Sequence, residues 1–166
     1  MSLEDLYGRE NYLRGCINAR EIKIRELGKI IDRLETEIEE LKSDVGKLEK
    51  INTKIDKTVR KIDLSVTKID NANNILNSYY RCSQNETWKK EIRTSYTLST
   101  KASSEFAKIK KASLNTITEL KTEIRKKERN LEDNKNSLIK AKAEKSDYED
   151  QLRDVQYDIN HYDEDD

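Results

Sequence analysis

The chain has 166 residues and a mass of 19.5 kDa, with 33 basic and 33 acidic side chains and a formal net charge of zero. Charged residues make up 40%, hydrophobic ones 34%, and proline is absent, whereas an ordinary soluble domain has about 25% charged and about 45–50% apolar residues and roughly 5% proline. With only four glycines as well, few places allow a sharp turn; this argues against β-sandwiches, barrels and doubly wound α/β folds, and the regular apolar spacing and balanced charge argue against disorder.

Apolar runs are no longer than two or three residues, so no segment is expected to span a membrane. The start, Met1-Ser2-Leu3-Glu4-Asp5-Leu6, lacks the basic and apolar regions of a secretory signal, which gives the expectation of a protein made in the cytoplasm. On one continuous helix Cys16 and Cys82 would lie about 100 Å apart, too far for a disulfide. A single histidine, His161, and no paired cysteine spacing leave no zinc motif.

Alternating steps of three and four from Ile24 read Ile24, Leu27, Ile31, Leu34, Ile38, Leu41, Val45, Leu48, Asn52, Ile55, Val59, Ile62, Val66, Ile69, Asn73, Leu76. Of these 16 positions 14 are apolar and two are Asn, an unbroken coiled-coil seam. The same phase reaches back through Leu13 and Leu6 to Leu3, with Glu10 and Arg20 as exceptions. The spacing predicts a first helix over 3–79. Gly8, Gly15, Gly28 and Gly46 all lie in its first half and weaken it by roughly 1 kcal/mol each, so more fraying is expected there.

The seam is interrupted at Arg81-Cys82-Ser83-Gln84-Asn85-Glu86-Thr87. Ser83-Gln84-Asn85-Glu86 fits the S-x-x-E capping box, and Asn85 is a competing cap. A turn is expected over 80–87 and a second helix over 88–162, followed by an acidic tail at 163–166.

The second helix carries a weaker seam from Ile92 through Tyr96, Ser99, Ser103, Phe106 and Lys110 to Tyr162, with 14 of 21 positions apolar or aromatic. Residues 94–118 include ten Ser or Thr, which leaves a shallow seam. Nearly equal helices joined by a short break predict an all-α, elongated antiparallel two-helix coiled-coil hairpin, a single unit over 1–166. Each helix would be roughly 115 Å long, and residue i would lie near 165 − i.

A second arrangement stays open. One set of seam positions in the first helix is β-branched with Asn52 and Asn73, and the other is largely Leu, a pattern that favours parallel dimers with the Asn pair fixing register. The first helix would then bind a second copy, giving a self-assembling structural scaffold. Two helices alone also leave Ile22, Ile30, Ile51, Ile75, Leu98 and Leu114 uncovered, which points to association with itself or with other helical proteins.

Trp88 is the only tryptophan and opens the second helix. It seals the tip of the hairpin or presents a recognition surface. Residues 89–129 carry net charge +7 and residues 142–166 net −7. The basic stretch lacks clustering on one face and interleaved aromatics, so a solvated helix face is expected and nucleic-acid binding is not. Tyr162 and Asp166 match a Tyr-x-x-x-Asp spacing read as an export signal in one secretion family. His161 has no partner residue that would suggest catalysis. No phosphate loop, nucleophile triad or distinctive carboxylate pair is present, so neither an enzyme nor a cofactor is expected.

A long helix, a short polar break and a Trp heading a second long helix resemble the WXG100 (ESAT-6-like) superfamily of type VII secretion. The closer similarity is to small α-helical accessory proteins associated with LXG-domain toxins of Gram-positive bacteria. It rests on the Glu/Lys/Leu-rich first helix, from Ile24-Arg25-Glu26-Leu27 to Leu41-Lys42, and on Trp88-Lys89 followed by Arg93 and Tyr96. Lys90 stands where the glycine of Trp-x-Gly would be, so only Trp88 carries that motif. The resemblance implies a chaperone-like adaptor that binds the helical N-terminal LXG domain of a toxin, with a second small helical accessory protein, and accompanies it to export. It implies a recognition surface at Trp88, Arg93 and Tyr96, with Ile22, Ile30 and Ile51 against partner helices.

Overall fold

The computed structural model describes residues 2–79 and 84–162, apart from the side chains of 76, 77, 79 and 84–86. Two α-helices, α1 (Leu3–Tyr79) and α2 (Gln84–Asn160), pack against each other as an all-α hairpin. Helix α1 has the expected bounds. Helix α2 starts earlier than residue 88, so residues 84–87 belong to the helix and not to the turn. The S-x-x-E spacing of Ser83-Gln84-Asn85-Glu86 is consistent in sequence with this earlier start; residues 80–83 lie outside the described residues. The far end of α2 stops at Asn160, short of Tyr162.

A cap that the sequence reading passed over begins α1. Ser2 Oγ accepts a hydrogen bond from the Asp5 backbone N–H at 3.2 Å, and Asp5 Oδ2 accepts from the Ser2 backbone nitrogen at 3.0 Å and from its hydroxyl at 2.7 Å. This reciprocal pair satisfies orphan donors, and Glu4 and Asp5 face the positive end of the helix dipole.

The chain divides into two compact units, Met1–Glu40 with Ile124–Asp166, and Leu41–Glu123. In the first, Leu6, Leu13 and Val155 form a core only 1–2% exposed, with Tyr148, Leu152 and Ile159 packed around it. Leu27, Ile31, Leu34 and Ile38 continue the buried row along α1, and Ile124 and Ala141 along α2. In the second unit Val45, Asn52, Ile55 and Ile117 are buried. The described seam positions from Val59 to Asn73, and from Ile92 to Ser113 apart from exposed Tyr96, are only half-buried. Small Ser side chains at 99, 103 and 113 fill less of the space between helices, so their neighbours stay wetter.

The α1 seam expected for a parallel dimer therefore packs on α2 of the same chain. Its register agrees with the expected 165 − i. Asp63 pairs with Ser103, Asp56 with Lys110, Glu49 with Lys121, Glu35 with Lys135 and Glu21 with Lys145, and the two residue numbers in these pairs total 166 or 170.

Several polar and charged seam residues are matched across the helix pair. Glu10 accepts from Gln156 Nε2 at 3.0 Å and from Arg14 of its own helix at 2.7 Å. Arg20 Nε lies 2.8 Å from Glu144, an ion-pair distance although its N–H direction misses hydrogen-bond geometry. The seam lysines Lys110, Lys127 and Lys145 reach Asp56, Glu37 and Glu21 at 2.5, 2.8 and 3.0 Å, each laying its alkyl stem along the seam and its ammonium at the edge.

The four glycines have open space where a Cβ would be added. Along α1 the deepest burial nevertheless lies in its glycine-bearing first half, because packing rather than propensity supplies most helical stability. Replacing Gly28 or Gly46 by Ala is expected to raise the unfolding free energy by about 1 kcal/mol each, measured by urea denaturation; an unchanged midpoint for both would contradict it.

Acid should weaken the hairpin. Hydrogen bonding from Gln156, then from Arg14, holds the Glu10 carboxyl below its ordinary value of 4.5, and Lys127 does the same for Glu37. Their contributions are complete above 4.5 and are lost as the pH falls through the lowered folded-state values. The melting temperature is expected to drop on acidification over that range. The drop should be smaller in Glu10→Gln, and an identical pH profile for the two proteins would refute this assignment.

Candidate functional site

Helix α2 opens with a Trp on its first exposed turns. Trp88 is 61% exposed, so it does not seal the tip as a buried side chain. A tryptophan left in water forgoes a large burial gain and marks a surface with affinity for another apolar group.

On another face of the same helix, Lys90, Arg93, Thr94, Thr97 and Leu98 line an open depression of about 580 Å³. These residues recur at helical spacing and so share one face of α2. Thr94 and Thr97 donate their hydroxyls to the Lys90 and Arg93 carbonyls of their own helix, both at 2.9 Å. Their methyl groups are then what they offer outward, next to Leu98, which is 63% exposed. The depression thus combines two cations with an apolar floor. It suits a helix or peptide that carries a carboxylate and an aliphatic side chain one turn apart.

Of the residues expected at a recognition surface, Trp88, Arg93 and Tyr96 fall together on the first turns of α2. Arg93 lines the depression and the other two do not. Tyr96 holds a seam position yet is 38% exposed. Ile51 is exposed in the same unit, while Ile22, exposed, and Ile30, half-buried, belong to the other; the structure does not gather these three into one patch. Sequence reading singled out Leu98 as uncovered but missed Lys90, Thr94 and Thr97. The available signal was their spacing around Arg93 at i−3, i+1 and i+4, hidden by the Ser/Thr-rich composition.

Tyr162 is exposed, and Asp166, the other half of the expected export spacing, lies outside the described residues. His161 caps the end of α2. Its ring stacks on Tyr157 at 4.0 Å between centroids, and Nδ1 lies 2.9 Å from the Tyr157 carbonyl oxygen. Among the described residues no group of three His, Cys, Asp or Glu is placed to hold a metal ion, and no helix is long and apolar enough to cross a membrane. In the basic stretch, Lys108, Lys110, Lys121 and Lys127 are engaged by Glu105, Asp56, Glu49 and Glu37, which leaves less free positive charge than the sequence suggests.

No protein-family model, curated protein or solved structure matches the chain.

Because most of the Trp88 side chain stands in solvent, Trp88→Ala is expected to shift the unfolding free energy by no more than about 0.5 kcal/mol, with helicity unchanged by circular dichroism. A loss several times larger would make Trp88 a structural residue.

Proposed function

We propose that the hairpin is a non-enzymatic adaptor for another helical protein, and that its partner is the helical N-terminal LXG domain of a type VII secretion toxin. The observation that carries the reading is the exposed Trp88, set at the head of α2 on the same turns as the Lys90 and Arg93 depression. A buried Trp at that point would serve the hairpin alone; an exposed Trp and, on another face of the same helix, two cations next to Leu98 are side chains of the kind found at binding hot spots. The resemblance in Trp88-Lys89, Arg93 and Tyr96 gives the partner class. In this role the adaptor covers apolar stripes of the toxin domain before export, together with a second small helical accessory protein, and Tyr162 with Asp166 supplies the export signal.

Co-expression with LXG domains is the direct test. A stable stoichiometric complex is expected on size exclusion. Removing Trp88 by W88A should weaken it roughly 30-fold or more, the effect of losing a hot-spot aromatic, while the free protein keeps its fold. Failure to copurify with any LXG domain, or a complex indifferent to W88A, would overturn the proposal.

A further inference from the structure

The two edges of the seam in the Leu41–Glu123 unit differ in chemistry. With seam positions labelled a and d in heptads abcdefg, an antiparallel pair sets the e positions of both helices along one edge and the g positions along the other. The e edge of α1 reads Glu49, Asp56, Asp63, Asp70, and its first three members bond to Lys121, Lys110 and Ser103. Over residues 51–72 and 95–116 the g edge carries no charge; its next positions are Asp44 and Glu123 at one end and Trp88 at the other. On α1 it reads Ile51, Thr58, Ser65, Ala72, and on α2 Ser95, Ala102, Ile109, Thr116.

These residues are exposed except for half-buried Ala102. Thr58, Ser65 and Thr116 return their hydroxyls to carbonyls of their own helix at 3.0, 2.9 and 3.2 Å. The edge therefore presents methyl and methylene groups beside Ile51 and Ile109, which are 46% and 53% exposed. It borders the half-buried stretch of the seam, where a covering layer would remove the most apolar surface from water.

Its rims are oppositely charged. The c positions of α1 are Lys47, Lys54, Lys61 and Lys68, and those of α2 include Glu91, Glu105 and Glu119. We propose that this edge binds a second copy of the chain, turned by half a turn about an axis parallel to the helices. That rotation lays α2 of the second copy antiparallel on α1, and its α1 on α2, so that lysine rims meet glutamate rims. Lys61 then stands opposite Glu105 of the second copy and Lys47 opposite Glu119, because both pairs total 166, as Asp56–Lys110 and Asp63–Ser103 do. A two-fold axis across the helices would set lysine against lysine and is disfavoured. A pairing of this kind is isologous and closed. Lys47 and Glu105 make exposed i,i+3 pairs with Asp44 and Lys108 in the single hairpin, which are weak and replaceable.

The test of self-association is separate from that of toxin binding, since it uses the purified chain alone and leaves Trp88 intact. Sedimentation equilibrium of the full-length protein is expected to show a monomer–dimer equilibrium. Ile109→Arg, at an exposed position, should leave only monomer with unchanged helicity. Lys61→Glu and Glu105→Lys should each weaken the dimer about tenfold, since each symmetric dimer loses two charge pairs. An equimolar mixture of those two variants should regain wild-type affinity. In the mixed dimer both contacts between positions 61 and 105 again join unlike charges, one of them with its signs exchanged. A protein that is monomeric at every concentration, a dimer that Ile109→Arg leaves intact, or a mixture no tighter than its components would overturn the proposal.

Discussion

Charges placed in a hydrophobic seam have to find partners across it, and that requirement organises this hairpin. A two-helix seam is narrow, so a polar seam residue sits close to water and is matched by one side chain from the opposite helix. Glu10 with Gln156, Arg20 with Glu144, and Lys110, Lys127 and Lys145 with Asp56, Glu37 and Glu21 follow this pattern. Each contact is individually modest at such exposure. Their value lies in alignment, because apolar side chains alone tolerate sliding by whole heptads whereas a set of unlike charges does not.

Much of the fold was legible from residue spacing. The run from Ile24 to Asn73 is buried or half-buried at every seam position, and the equal helices gave the antiparallel pairing and a register within a few residues. The start of α2 was misplaced because the Trp was read as the head of the helix, although the S-x-x-E spacing is consistent with a start at Gln84. The weak second seam was weak only in hydropathy. Its lysines belong to the interface through their stems and through the acids of α1, a relation between distant positions that periodicity within one helix does not carry. The surface around Trp88 was half legible: composition singled out the residue, but whether a lone Trp at a hairpin tip is buried depends on what packs over it.

The abundance of Ser and Thr in α2 takes on a definite physical sense. Thr94, Thr97, Thr100, Thr116, Thr118 and Thr122 all return their hydroxyls to a carbonyl four residues back. Each satisfies its own polarity within the helix and displays a methyl group. A stretch that is hydrophilic by composition is thereby less polar at its surface than its sequence suggests. It is also thin, which is why the second unit has few fully buried side chains.

Asn52 is buried with neither amide atom hydrogen-bonded, and the Ser113 hydroxyl is likewise without a partner. Asp56 with Lys110, one turn away on each helix, puts the two at the same level of the seam. Such a layer subtracts from stability, yet it changes how competing alignments rank. Sliding α2 by one heptad either way would set the amide against Phe106 or Leu120, stranding it among purely apolar groups while separating Lys110 from Asp56. Misaligned hairpins are thus raised in energy further than the native one. A folding chain that zips up out of step meets a penalty near the middle of its seam and is returned to solution before the error becomes a trap.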